Sequence, residues 1–247
     1  MGILNKEDPK SSGDPQSFEK SHLQAADNPW KGLYKVAGSA ALMMALFIPI
    51  QLIIFVIWPP PSTVTAWFTL FQENRLIGLL DMDLLLIVDQ VLMGLVLIAL
   101  YAALKRAGPS AMTIALTLGL VGIAAYFAST AAFEMLSLSN QYAAATTETQ
   151  RSILLGAGQT MLTIWQGTAF TVGYILEGVA LLIIALVMRR STVFSKATAS
   201  VGILLGVLSL VPPSVGTIGL FFALGSLVPL ELWDILIARR FLQLGKT

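Results

Sequence analysis

The chain has 247 residues, of which 56% are hydrophobic and 12% charged, and its mean hydropathy is +0.78. Soluble domains carry roughly 25% charged residues, so this composition reads as one membrane domain with a polar leader. A net charge of +1 offers no basis for binding nucleic acid, which needs clustered cations on an exposed face, and the absence of cysteine excludes disulfides, thiolate metal sites and cysteine nucleophiles.

Residues 1–29 mix Lys6, Glu7, Asp8, Lys10, Asp14, Glu19, Lys20 and Asp27 with Ser, Gly and Pro. Such a segment holds too few apolar groups to offset the entropy of ordering, so it is expected to be disordered or docked on a partner. It contains the only histidine, His22, so the apolar part can build no His-ligated haem or zinc site and no Ser-His pair. No cofactor and no catalytic group is expected. The start Met1-Gly2 is similar to a myristoylation signal, but Lys6 stands where Ser or Thr is required.

Apolar runs near 33–57, 76–104, 110–132, 166–188, 196–215 and 217–238 each suffice to cross ~30 Å of hydrocarbon with ~20 residues. The sequence thus predicts an all-α, polytopic helix bundle of six transmembrane helices. The first run follows a long polar leader without a cleavage site, so it reads as a retained span. It lies between Trp30 and Trp58-Pro59-Pro60-Pro61, an aromatic anchor at each interface and then a stop, with Pro49 expected to kink it. Lys31, Lys35, Lys105, Arg106, Arg189, Arg190, Lys196, Arg239, Arg240 and Lys246 all fall on one side of this layout, and only Arg75 and Arg151 on the other. By the positive-inside rule both termini are expected in the cytoplasm.

On the opposite side, 62–73 carries Trp67, Phe68 and Phe71 and reads as an interfacial loop. The connection 133–165 is far longer than the usual ~4–6 residues and predicts an exoplasmic interfacial or re-entrant helix. Thr147 and Gln150 fit a capping box, and Ile153, Leu154, Ala157, Met161, Leu162 and Trp165 recur at helical spacing. Gly202 with Gly206, and Ala115 with Gly119, are small-xxx-small pairs expected to let helices pack closely.

Seven acids lie in or beside the spans: Asp81, Asp83, Asp89, Glu134, Glu177, Glu231 and Asp234. No Lys or Arg within a span can pair with them. Counting ~1.5 Å per residue from Leu104 leaves Asp81 and Asp83 at the outer interface as wet carboxylates, but Asp89 inside the hydrocarbon. The same count places Glu177 near the middle of its span and Glu231 and Asp234 in the inner third. An ionisable group there costs at least ~2.5–3.5 kcal/mol, so Asp89 and Glu177 are candidates for a proton or cation relay. The alternative is that each bonds a backbone carbonyl or Gln90, Gln166, Thr168 or Thr171 and joins helices. Asp81, Asp83 and Glu134 with Arg75 and Arg151 form a candidate exoplasmic vestibule, open either to hard cations or only to solvent. No Gly-x-Gly-Asp, His-Glu-x-x-His, Gly-x-Ser with a membrane histidine, or Asp-rich diphosphate motif occurs.

The strings FEMLSLSNQYAAATTETQR at 133–151, GTAFTVGYIL at 167–176 and LVPPSVGTIGL at 210–220 resemble a family of bacterial six-span proteins described only as a domain of unknown function. The likeness covers roughly 74–240. It implies a bacterial cytoplasmic (inner) membrane and carries over no activity, cofactor or site residue. The expected function is an accessory or scaffolding subunit of a membrane assembly, with the bilayer and a membrane-protein partner or second copy as partners. The alternatives are a small proton- or cation-coupled transporter using Asp89 and Glu177, and a membrane sensor or lipid-binding protein using the 133–165 cap.

Overall fold

The computed structural model describes residues 29–246, and the expectations for the tail, including a docked partner, lie outside them. Among the described residues the fold is all-helical: α1 Lys31–Ile57, α2 Val64–Glu73, α3 Arg75–Met82, α4 Leu84–Leu104, α5 Pro109–Phe127, α6 Ala132–Ala144, α7 Glu148–Trp165, α8 Thr168–Arg190, α9 Lys196–Leu208, a 3₁₀ turn Pro213–Val215, and α10 Thr217–Leu244. Five stretches are long and apolar enough to cross a membrane: Lys31–Ile57, Leu84–Leu104, Pro109–Ala144, Glu148–Arg190 and Thr217–Leu244. The expected span 196–215 is the exception. Its helix has only 13 residues, about 20 Å at ~1.5 Å each.

The long helices close into a ring in which α1 packs on α4, α4 on α5, α5 on α8, α8 on α9, α9 on α10 and α10 back on α1. At one end, here the basic end, the interior is filled. Phe241 stacks on Tyr34 with ring centroids 5.6 Å apart and meets Phe194 edge-on at 5.7 Å. Leu100, Leu104, Met112, Ile184 and Met188 complete this plug. Lys105 Nζ lies 4.8 Å from the Trp30 ring, and Arg240 Nε donates to the Val193 carbonyl, so two of the cations also tie helix ends together.

The other end carries a cap of four short helices with its own core. Correcting the expectation of an interfacial loop, 64–73 is helical, begun by the Thr63 hydroxyl accepting from Ala66 N–H. Its Trp67, Phe68 and Phe71 are buried against Met82, Ala131, Ala132 and Met135 instead of lying along the headgroups. The cap helix expected from Thr147 onward is present as α7, and a further helix, α6, precedes it. The Thr147–Gln150 capping box is present. Ile153, however, points outward, and α7 meets α2 through Gly158, where a Cβ would stand 2.5 Å from Val64 and 2.9 Å from Phe68. The predicted continuous span 76–104 is broken at Asp83, and α7 is separated from α8 at Gln166-Gly167. Pro49 and Pro229 both lie within continuous helices.

The small residues of the bundle lie under neighbouring helices, as their spacing predicts. A Cβ on Gly202 would stand 2.8 Å from Trp233 and one on Gly206 3.0 Å from the Leu182 backbone, whereas nothing lies within 4 Å of the same atom on Gly156. Gly206→Leu should therefore lose about 1–3 kcal/mol by overpacking, read as a lower unfolding temperature in mild detergent. Gly156→Ala should be neutral or stabilising by the same measurement.

Candidate functional site: an acid-lined cavity in the bundle

Between the filled basic end and the cap the ring encloses a cavity of about 470 Å³, within the ~300–1,000 Å³ of small-molecule sites. Its floor is Met44, Leu97, Leu205 and Trp233, all members of the main core; Asp89, Gln90, Glu177, Asp234 and Gln51, with Tyr126, Tyr174, Ser209 and Ser226, are the polar residues of a largely apolar lining. Among the described residues no Lys, Arg or His lines it.

Close packing of α5 against α8 sets the position of Glu177. A Cβ on Gly173 would stand 2.8 Å from the Gly122 carbonyl oxygen, and one on Gly122 would stand 2.8 Å from Glu177 Cγ, so the two backbones meet with only hydrogen between them. Glu177 is thereby turned toward α4, where Gln90 Nε2 donates to both its oxygens at 3.1 and 3.2 Å. One turn nearer the cap, Tyr174 lies close to Ser209 and Ser226, and Tyr126, Phe170 and Tyr174 form an aromatic row with centroids 6.3 and 6.1 Å apart. The carbonyl of Ser209 lies where a side chain on Gly178 would be, 2.7 Å from its Cβ position. The chain then continues without regular helix to Ser214, whose hydroxyl meets that of Thr171 at 2.8 Å.

Asp89 and Glu177 both line this cavity, Asp89 from α4 and Glu177 from α8, and Glu177 is within electrostatic reach of Asp89. Asp234 joins them from α10 and is also within electrostatic reach of Asp89. It is 1% exposed and neither carboxylate oxygen has a hydrogen-bond partner. Glu231, paired with it in the sequence reading, is close to Asp234 but does not line the cavity. The sequence reading missed Gln51, Tyr126 and Tyr174. A lone amide in the run Pro49–Phe55 was the available signal for Gln51, whose amide atoms also lack partners.

The five residues of the candidate vestibule do not assemble. Arg75 is exposed, Arg151 pairs with Glu148 at 3.0 Å, and Glu134 faces an open groove between α6 and α7. Asp81 and Asp83, expected to be wet, are each 1% exposed. Asp83 is a structural anchor: its Oδ2 accepts from Ala131 and Ala132 N–H at 2.7 and 3.0 Å, and its Oδ1 from Trp165 Nε1 at 2.7 Å. Burial raises its carboxyl above the ordinary range; the three donors oppose that shift, and the Glu134 charge adds to it. Asp81 has no partner for either oxygen, and burial pushes its carboxyl up to about 6. Among the described residues no cluster of three or more Asp, Glu, His or Cys is suited to a metal ion. No protein-family model, curated protein or solved structure matches the chain.

Two outcomes follow for the cap. Asp83→Asn keeps an oxygen for the two backbone donors but turns N–H₂ toward Trp165, so it should cost about 1–3 kcal/mol, and less in a Trp165→Phe background. Thermal unfolding of the four proteins in the double-mutant cycle measures this. A raised folded pKa means that Asp81 favours folding when protonated; its contribution is fully present below the unfolded value near 3.8 and is lost as pH rises through about 6. Asp81→Asn should therefore raise the unfolding temperature at pH 7–8 and give no gain below pH ~4.

Proposed function

We propose that this protein is a small proton- or cation-coupled carrier of a bacterial cytoplasmic membrane, with the basic end in the cytoplasm. The observation that carries the reading is the convergence of Asp89, Glu177 and Asp234 on one cavity that, among the described residues, no Lys, Arg or His lines. Three ionised carboxylates in an apolar enclosure repel one another and lack solvation, so each requires a proton, a bound cation or water. A scaffolding subunit has no use for this costly arrangement, and a bundle serving only as scaffold would be expected to pack through.

Six crossings also belong to this reading. Helix α9 with the segment 209–216 acts as a broken span: Ser209 and Pro213 line the cavity, and the amides of Ser209, Leu210, Val215 and Gly216 are hydrogen-bonded to nearby carbonyls. The distribution of cations, with Arg189, Arg190, Arg239 and Arg240 at one end, supports the orientation.

Reconstituted into liposomes, the wild-type chain should carry a proton or cation flux under an imposed gradient. Asp89→Asn and Glu177→Gln, which preserve shape, should reduce it at least tenfold while leaving unfolding temperatures within a few degrees. Flux unchanged in both variants contradicts the proposal.

A further inference from the structure

Resting on the carrier reading, we propose that the substrate is a lipophilic organic cation, an aromatic or alkyl body bearing one permanent or protonated positive centre, seated with that centre at Asp234.

Four features of the cavity select this chemistry. The first is charge: three acidic residues line the space and, among the described residues, no Lys, Arg or His does, so an anion is rejected and a cation drawn in. The second is the state of Asp234. It is 1% exposed, both oxygens are without partners, and it lies at the closed end beside the floor residue Trp233. Glu177, by contrast, is already held by Gln90 on the wall.

The third feature is the wall itself. Tyr126, Phe170 and Tyr174 present a row of rings on the approach to Glu177, and aromatic faces attract organic cations through the ring quadrupole while also matching an apolar body. Hard metal ions are poorly served here, since they require several converging oxygens at fixed distance, and no such cluster occurs among the described residues. The fourth is the rim. In the cap half the lining side chains Leu52, Leu86 and Leu224 are 40%, 39% and 56% exposed, so the way in crosses leucines and not a charged vestibule. A solute that partitions into the membrane boundary crosses such a rim readily; a strongly hydrated ion does not.

The test uses the full chain in mild detergent with tetraphenylphosphonium as probe, its neutral relative triphenylphosphine oxide as control, and equilibrium dialysis as readout. Saturable binding of the phosphonium, weakened at least tenfold by Asp234→Asn and not competed by the neutral control, is expected. Glu177→Gln, at the wall, provides a second variant should Asp234→Asn fail to fold, and it should weaken binding by a smaller factor. Absence of saturable binding, equal binding of the neutral control, or unchanged affinity in both variants overturns the proposal. The liposome assay separates this from the parent reading: flux lost in Glu177→Gln with no phosphonium binding removes the substrate class and leaves the carrier, and binding without flux removes the carrier and leaves the site.

Discussion

The seam between α5 and α8 is the contact on which the cavity depends. Gly122 and Gly173 bring two backbones together with only hydrogen between them, and the same approach leaves Glu177 no direction but toward α4. On the next turn Gly178 accepts the Ser209 carbonyl against α8, where a side chain would hold it away. Helix α9 ends there, well short of a full crossing, and the chain reaches α10 through irregular backbone. Ser209 and Pro213, beyond the end of α9, both line the cavity.

The cap obeys a different rule. A buried carboxylate is stable when donors surround it, and Asp83 has three, from the start of α6 and from the end of α7. It sits at the break between α3 and α4, so one side chain joins the top of the bundle to α6 and α7. The Ser139 hydroxyl, donating to the Phe68 carbonyl and accepting from Gln72, adds a second buried tie between α2 and α6. The acid-lined middle lies between this cap and the filled plug at the basic end.

Much of this was legible in the sequence because the bilayer restricts what a sequence can do. Apolar runs between paired cations define helices, and Asp89 and Glu177 are conspicuous because nothing in a span pairs with them. The depth count failed for Asp83 for a physical reason: its partners lie 48 to 82 residues away in the chain, and no local pattern reveals a carboxylate satisfied by distant donors. Asp234 was visible as a membrane acid but grouped with Glu231 by proximity in sequence. Three residues apart on α10 the two are neighbours, yet only Asp234 lines the cavity. The aromatic stretch 64–71 was misassigned because burial by a cap and burial by headgroups demand the same residues.

Because the chain has no cysteine, single cysteines provide the most direct measurement. Ser209→Cys and Leu227→Cys place a thiol in the cavity wall, and Val96→Cys places one in the filled core. A cationic methanethiosulfonate should modify the two wall thiols at least tenfold faster than an anionic one of similar size, from the cap side of the membrane, and neither reagent should reach position 96. Equal rates for the two charges, or wall thiols as inert as the core thiol, would contradict an accessible cavity governed by Asp89, Glu177 and Asp234.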